Sequence, residues 1–349
     1  METEIAVYRQ AGMVYFVLLE DGKPAEVLSD DQLKPLRRQD IVLGRVRQVV
    51  PALNCAFIDI GEPHDAMLPL AEAPDGIKAG QPLLAQIHRI CSPAKGHQLT
   101  TRIQLPGPFA VFNTRSAPKR RSKLRAFPLE QQHEFYAQDL ERLQAAWERL
   151  LQASGSGTVP RRLLALGDPL YTALISYASA ELKRIRVEGD ELFQEVYRQV
   201  AELMPAYLPM LSLYIPSQGY GLAAVLGLGD LDALLQRRKV WLDGGGFLVI
   251  DRTEALTVID VNSGKDVRGH GNMALRQRTN LQAAAEIARQ LRLRNLGGII
   301  IIDFLDLEGD EARAELQLAL SENLARDRAK CLLVGFTSLG LFEMTRTAV

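Results

Sequence analysis

The chain has 349 residues, a formal net charge of −1 and three cysteines, and 47% of its residues are hydrophobic while 24% are charged. This balance is typical of a globular protein. A net charge of −1 gives no indication of a nucleic-acid partner, which can be inferred only from local clusters of charge. No apolar run approaches the roughly 18 residues that a membrane-spanning helix needs, and the isolated Cys55, Cys91 and Cys331 favour a reducing, cytoplasmic location over a disulfide framework.

The first third of the chain predicts short strands. Residues 1–35 alternate between apolar and polar positions, with turns at Gly12 and at residues 21–22. Residues 38–105 continue as short, evenly spaced strands separated by glycine and proline. Strands of this length and spacing predict a small barrel.

A basic stretch follows the predicted barrel. Residues 107–125 contain no acid, and within them lie Arg115, Lys119, Arg120, Arg121, Lys123 and Arg125. Two interpretations remain open, a solvated linker and a surface that binds backbone phosphates. The pattern then predicts a helix over about residues 129–151, and more helix with a short strand near Leu163 in residues 160–213.

The last third contains two apolar runs that each end in aspartate. A predicted hairpin over residues 239–250 leads into the run 255–260, and a predicted helix over about 273–295 leads into the run 298–303. A strand–helix–strand unit forms a right-handed crossover with parallel strands, whose carboxyl ends share one edge of the sheet. We therefore expect Asp260 and Asp303 to lie side by side.

Two carboxylates at one place repel each other unless a cation lies between them. No histidine or cysteine is close in sequence to either aspartate, and all-oxygen sites suit magnesium, manganese or calcium. The alternative is that each aspartate only caps the turn after its strand. Asn262 beside the first aspartate and Asp306 beside the second favour the metal site. Gly264, Lys265 and Arg268 follow the first strand and offer backbone access and positive charge to a phosphate.

Several long segments identify a family resemblance. They read TEALTVIDVNSG (253–264), TNL (279–281), EIARQLRLRNLGG (286–298), IIDF (301–304) and GLFEMTR (340–346). These segments closely resemble the RNase E/G family of bacterial endoribonucleases. Residues 55–59, 68–70, 95–96 and 99–101 agree more loosely with the family's RNA-binding OB-fold domain of ribosomal S1 type.

The resemblance implies a mixed α/β, multidomain fold in which an RNase H-like domain is interrupted by an S1-type OB barrel and followed by a DNase I-like nuclease domain. We expect the two parts of the RNase H-like domain at residues 1–36 and 158–235, and the barrel at 37–106. Residues 107–157 would form a basic linker and helical segment, a reduced form of the family's 5′-sensor region. The catalytic domain would span residues 236–349.

The resemblance also implies a magnesium-dependent endoribonuclease that cleaves single-stranded RNA in RNA processing and decay, leaving a 5′ phosphate and a 3′ hydroxyl. Asp260 and Asp303 would hold the magnesium ion, with manganese as an alternative, and Asn262 would orient the site. Phe57 would stack on a base, and the candidate RNA-binding cations are Lys95, Arg115, Lys119, Arg120, Arg121, Lys265, Arg268 and Lys330. A non-catalytic RNA-binding protein and a nuclease acting on DNA remain as alternatives.

Three departures from the family pattern qualify these expectations. Met67 stands where the family often has a second barrel aromatic. Between residues 113 and 155 there is no Arg-Thr-Ala-Gly segment of the kind that binds a 5′ monophosphate. There is also no Cys-x-x-Cys pair after the nuclease region, so we expect neither zinc nor a zinc-linked assembly, while a homodimer stays open.

Overall fold

The computed structural model describes residues 2–30, 36–91, 95–216, 219–264 and 273–347. The chain divides into two compact units, the first made of residues 1–16 and 28–215 and the second of residues 17–27 and 216–349. The helices described here include none that is both long and apolar enough to cross a membrane.

The secondary structure is mixed throughout the described residues. The strands are β1 (Thr3–Gln10), β2 (Met13–Glu20), β3 (Lys23–Asp30), β4 (Ile41–Val50), β5 (Cys55–Asp59), β6 (Ala66–Pro69), β7 (Pro82–Arg89), β8 (Gln98–Thr100), β9 (Gln104–Pro106), β10 (Ala110–Asn113), β11 (Lys119–Arg120), β12 (Arg161–Leu164), β13 (Leu182–Glu188), β14 (Leu211–Tyr214), β15 (Lys239–Trp241), β16 (Phe247–Arg252), β17 (Leu256–Asn262), β18 (Gly298–Asp303), β19 (Cys331–Phe336) and β20 (Phe342–Arg346). The α-helices are α1 (Leu129–Ser154), α2 (Pro169–Tyr177), α3 (Asp190–Leu203), α4 (Leu222–Val225), α5 (Leu231–Gln236), α6 (Met273–Leu293) and α7 (Asp310–Leu324). Short 3-10 helices span Pro51–Leu53, Ser122–Ala126 and Pro205–Met210.

The predicted small barrel is confirmed. Its strands follow the order β4-β5-β6-β8-β7, and β4 also pairs with β7, which closes the barrel. Alternate side chains such as Ala56, Ile58 and Leu68 fill its core. Strand β12 extends this sheet by pairing antiparallel with β4.

A five-stranded sheet has the order β14-β13-β1-β2-β3. Its β1, β13 and β14 run parallel. Helix α3 turns an apolar stripe inward, with Leu192, Val196, Val200 and Leu203 buried at helical spacing.

Residues 107–125 contain regular secondary structure. Strands β9, β10 and β11 form a three-stranded sheet there, and a 3-10 helix continues into α1. The carboxylate of Asp139 in α1 is buried and accepts 2.8 Å hydrogen bonds from the backbone N–H groups of Phe109 and Ala110. A buried acid that satisfies two amides fixes this segment against the helix, and the charge pattern alone could not reveal it.

The second unit is built on a six-stranded sheet of order β15-β16-β17-β18-β20-β19. The predicted crossover is confirmed, because β17 and β18 are parallel neighbours and α6 joins them. Apolar residues of α6 and α7, including Ile287, Leu291 and Leu320, share one core with Ile259 and Ile302 of the sheet. Both helices therefore cover the same face of the sheet.

Residues 17–27 belong to this second unit and are held there by ion pairs. The buried guanidinium of Arg292 in α6 donates to both carboxylate oxygens of Glu20, at 2.8 and 2.6 Å. Glu26 lies 3.7 Å from Arg292 and 3.2 Å from Arg328. Burial raises the pKa of Glu26, and the two arginines oppose that shift.

Candidate active site

Two aspartates meet at the carboxyl edge of the second unit's sheet. Asp260 in β17 is the direct register partner of Asp303 in β18. Their neighbours Ile259 and Ile302 are buried in the core, so the alternation of a strand turns both aspartates to the face opposite the helices. The predicted side-by-side placement of the two aspartates is confirmed.

Electrostatics at this edge favour a bound cation. Burial, followed by the negative charges of Asp260 and Asp306, raises the pKa of Asp303 above its ordinary value. A carboxylate whose negative form is disfavoured by its neighbours gains from a cation that neutralises them. Oxygen donors from two carboxylates match the ligands that magnesium and manganese use. Within the described residues no group of three acidic, histidine or cysteine side chains could hold a metal alone, so water or substrate oxygens would complete the shell.

Asn262 contributes to the site as a neighbour of Asp260. Its side-chain amide donates a 2.7 Å hydrogen bond to Oδ2 of Asp260. Because the two residues are two positions apart on one strand, they project from the same face. The amide therefore fixes the orientation of the Asp260 carboxylate and leaves its other oxygen to other partners.

Asn280 holds the backbone just after Asp303, and sequence reasoning missed this role. Its side chain in α6 is completely buried. It donates to the Leu305 carbonyl at 2.8 Å and accepts from the Leu305 N–H at 3.0 Å. One amide thus satisfies both backbone groups of a residue two positions beyond Asp303. The segment TNL (279–281) carried the family resemblance, but its pattern gave no sign of this contact.

The loop of the β15–β16 hairpin approaches the end of β17 closely. Leu242 N–H donates to the Gly246 carbonyl at 2.8 Å, and a Cβ atom placed on Gly246 would lie 2.6 Å from the Asn262 carbonyl. Only glycine permits this approach, which brings Phe247 directly opposite Asn262. The predicted hairpin at residues 239–250 is confirmed by the antiparallel pairing of β15 and β16.

Three of the predicted RNA-binding cations belong to the C-terminal part of the chain. Lys265 and Arg268 lie outside the described residues. Lys330 is exposed just before β19. Strands β18 and β19 both begin opposite Arg346 of β20, at Gly298 and Cys331 respectively. Lys330 therefore lies at the end of the sheet where β18 begins, whereas Asp303 lies at the end where β18 stops.

In the barrel, Phe57 lies on the outer surface. It is half-buried between the core residues Ala56 and Ile58, and its register partner in β6 is Met67, which is 37% exposed. The two side chains share one face because they are directly opposite. Lys95 is also exposed.

The basic stretch separates into outward and inward cations. Lys119 and Arg120 are exposed in β11, and the guanidinium of Arg120 lies 4.7 Å from the centre of the Tyr136 ring. Exposed Arg115 donates to the Glu72 carbonyl at 3.1 Å and to the Thr101 hydroxyl at 3.0 Å.

The inward cations serve the fold of the first unit. Arg121 donates to the Gly107 carbonyl at 3.0 Å, and burial lowers its pKa. Lys123 donates to the Ile175 carbonyl. Burial, and then the nearby charge of Arg121, hold the pKa of Lys123 well below its usual range. Because Arg121 and Lys123 already donate to carbonyls of the fold, they are poorly suited to bind a phosphate.

Comparison with known proteins identifies the family. The model of the Ribonuclease E/G family matches residues 124–349. Ribonuclease G of Escherichia coli strain K12 is 32% identical in an alignment 357 residues long that covers 88% of this chain and 72% of that protein. Ribonuclease G of Haemophilus influenzae is 32% identical in an alignment 378 residues long that covers 94% of this chain and 76% of that protein. Ribonuclease E of Nostoc sp. is 29% identical in an alignment 379 residues long that covers 95% of this chain and 55% of that protein. The chain belongs to the ribonuclease E/G family.

Proposed function

We propose that this protein is a magnesium-dependent endoribonuclease that cleaves single-stranded RNA and leaves a 5′ phosphate and a 3′ hydroxyl. The observation that carries the proposal is the pairing of Asp260 and Asp303 across parallel strands in a chain whose relatives are named Ribonuclease G and Ribonuclease E. A pair of carboxylates on the sheet face opposite the helices is accessible to a polymer.

In this proposal Asp260 and Asp303 hold the cation, and manganese would also fit their oxygen donors. When bound, a divalent cation activates a water molecule for attack on phosphorus and neutralises charge on the phosphate. Asn262 keeps the Asp260 carboxylate in one orientation through its 2.7 Å hydrogen bond. Asn280 keeps the backbone beyond Asp303 in place through its two bonds to Leu305. Fixed carboxylates lower the reorganisation that the reaction requires.

We further propose that the barrel binds RNA through Phe57, because half-buried aromatic rings on a barrel surface are suited to stacking on bases. Exposed Lys95, Lys119 and Arg120 would attract the phosphate backbone. Lys265, Arg268 and Lys330 are further candidate phosphate contacts. An RNase H-like arrangement interrupted by the barrel, followed by a DNase I-like domain, is part of the same proposal, as is a homodimer.

A role in cytoplasmic RNA processing and decay follows from this activity and from the three free thiols at Cys55, Cys91 and Cys331, because free thiols persist in reducing compartments.

The test uses matched fluorescent oligonucleotides of single-stranded RNA and single-stranded DNA, each with magnesium and with a chelator. We expect cleavage of RNA in magnesium only. Binding of RNA without cleavage would favour the non-catalytic RNA-binding alternative, and equal cleavage of DNA would favour a nuclease without RNA specificity. Mass spectrometry of the fragments identifies the product ends, and a 5′ hydroxyl or cyclic phosphate would contradict the proposed chemistry.

A further inference from the structure

Two aromatic rings lie on the same sheet face as the aspartates. Phe247 in β16 is the direct register partner of Asn262 in β17, and Trp241 in the edge strand β15 is the direct partner of Phe247. Directly opposite residues of antiparallel strands project from the same face. The row Trp241–Phe247–Asn262 therefore crosses the sheet from its edge to the strand that carries Asp260.

The exposure of Trp241 is not explained by the packing of the hairpin. Its side chain is 62% exposed, whereas Leu248 and Ile250 of the adjacent strand are buried in the core and Val240 packs against them. The hairpin is thus anchored by residues of its other face. The ring of Trp241 lies 5.3 Å from that of Phe247 in an edge-to-face arrangement, and such pairing restrains an indole that is otherwise left in water.

A lysine completes the group. The ammonium of Lys239 lies 4.0 Å from the centre of the Trp241 ring and 3.6 Å from that of Phe247. Lys239 aligns with Val249, and Val249 in turn aligns with Asp260. The positive charge is therefore on the same cross-strand row as the aspartate pair, beside two aromatic faces.

We propose that Trp241, Phe247 and Lys239 form a subsite, here called the hairpin subsite, that stacks on a nucleobase next to the phosphate cleaved between Asp260 and Asp303. This inference rests on the proposed function. Strand β15 is two strand spacings from β17, roughly 10 Å, which places the subsite close to the carboxylates yet outside them. A ring stacks on any base, and an ammonium attracts a neighbouring phosphate, so the hairpin subsite adds affinity with little sequence preference.

RNA fits the hairpin subsite better than a protein partner does. A protein interface with an exposed tryptophan at its centre is surrounded by further apolar contacts. Here the same face carries the cation Lys239 and the acids Asp260 and Asp303 within a few residues. Those charges match a phosphate backbone with its counter-cation, whereas they would have to be desolvated under a protein.

The direct test uses the intrinsic fluorescence of Trp241. The chain contains two tryptophans, and Trp147 lies in α1 of the other unit. A Trp147→Phe, Asp303→Asn double variant of the full chain leaves Trp241 as the single reporter and prevents cleavage. Titration with unlabelled single-stranded RNA should quench its emission in a saturable way, with the same midpoint as fluorescence anisotropy of labelled RNA. Unchanged Trp241 emission at saturating RNA would overturn the inference.

Kinetics then locate the contact. In an otherwise unchanged chain, Trp241→Ala should lower kcat/KM for single-stranded RNA about tenfold, which corresponds to about 1.4 kcal/mol, and Trp241→Tyr should restore most of the activity. An abasic nucleotide moved along the substrate should lower the wild-type rate by a similar factor at one position beside the cleaved bond. At that position Trp241→Ala should have little further effect. Tyr197→Ala is the matched control, because Tyr197 is an exposed aromatic residue of α3.

The outcomes separate this inference from the proposed function. Wild-type cleavage kinetics in Trp241→Ala would overturn the hairpin subsite and leave the endoribonuclease intact. Quenching of Trp241 in the double variant, together with no RNA cleavage by the wild type, would support the subsite and refute the nuclease. If Trp241→Ala instead changes the oligomeric state in sedimentation without changing RNA cleavage, the ring belongs to a protein interface and the inference fails.

Discussion

Asp260 and Asp303 are direct partners in the parallel register of β17 and β18, although the 21-residue helix α6 lies between them in the chain. Their position follows from the crossover alone, since neighbouring parallel strands end on the same edge. The crossover does not fix the orientation of the carboxylates or the path of the backbone beyond them. The Asn262 amide donates a hydrogen bond to the Asp260 carboxylate, and Asn280 binds both backbone groups of Leu305, two residues beyond Asp303.

Asn280→Ala should reduce cleavage and stability together. The substitution leaves both the N–H and the carbonyl of Leu305 without their side-chain partner inside the fold. Unpaired buried polar groups cost about 1–3 kcal/mol each, and the segment that carries Asp303 loses its fixed path. We expect a lower midpoint of chemical denaturation and at least tenfold lower kcat, measured on the same preparation.

Asn280→Asp removes only the donor. Aspartate keeps the acceptor for the Leu305 N–H, but it places a carboxylate at a completely buried position beside the Leu305 carbonyl, so it should lower stability at least as much as alanine does. Asn323→Ala is the control, because Asn323 in α7 also donates to a backbone carbonyl, at 2.7 Å, but that carbonyl belongs to Ala319 of the same helix and not to the segment after either aspartate. If Asn280→Ala keeps the wild-type kcat despite its lower stability, the positioning role is refuted.

Salt should distinguish outward from inward cations of the basic stretch. Lys119 and Arg120 are exposed, so replacing both with glutamine should lower the log–log salt slope of RNA binding by about 0.7 for each phosphate that these side chains neutralise. Arg121→Gln should leave that slope unchanged and lower the melting temperature, because Arg121 binds the Gly107 carbonyl. An unchanged slope in the Lys119/Arg120 variant would leave these two residues without a role in RNA binding.

Lys123 should give the protein a distinctive pH dependence. Its folded pKa is lowered, mainly by burial, from an ordinary value of 10.5. Between the folded pKa and about 10.5 the unfolded state binds more protons than the folded state, so the stability contributed by this group rises with pH. The wild type should therefore gain stability relative to Lys123→Met as pH rises toward 10.5.

Urea denaturation at several pH values measures this difference, and Lys119→Met serves as the exposed control. Comparison with a variant cancels the titration of other groups. Parallel pH profiles for the wild type and Lys123→Met would show that Lys123 keeps an ordinary pKa in the folded protein.

Cleavage should be indifferent to the chemistry of the RNA 5′ end. Arg161 donates to the Ala153 carbonyl at 2.6 Å, and Arg162 lies 3.2 Å from the buried Asp40 carboxylate. Both arginines thus have partners inside the first unit. We expect oligonucleotides with a 5′ monophosphate or a 5′ hydroxyl to be cut at rates within about threefold of each other, less than ~0.7 kcal/mol of discrimination. A preference of tenfold or more would require an end-sensing pocket.

Apolar spacing predicted the barrel strands and the β15–β16 hairpin, because it specifies which side of each strand is buried. The placement of Asp260 beside Asp303 needed one further rule, namely that a strand–helix–strand unit forms a right-handed crossover between parallel strands.

Long-range partners were beyond the reach of that reasoning. A cation looks the same in sequence whether it faces water, as Lys119 does, or a buried carbonyl, as Lys123 does. The pairing of Arg292 with Glu20 joins opposite ends of the chain, and no spacing rule predicts it. Asn280 was missed for the same reason, since its partner Leu305 is fixed only once the strand order is known.

The most direct test of the central claim is calorimetric titration of magnesium into the wild type, Asp303→Asn and the control Asp310→Asn, with RNA cleavage measured on the same samples. Asp310 is an exposed acid in the first turn of α7. We predict that Asp303→Asn loses magnesium binding and nearly all cleavage while RNA affinity measured by anisotropy stays close to normal, and that Asp310→Asn matches the wild type. Wild-type turnover or wild-type magnesium affinity in Asp303→Asn would contradict a cation site formed by Asp260 and Asp303.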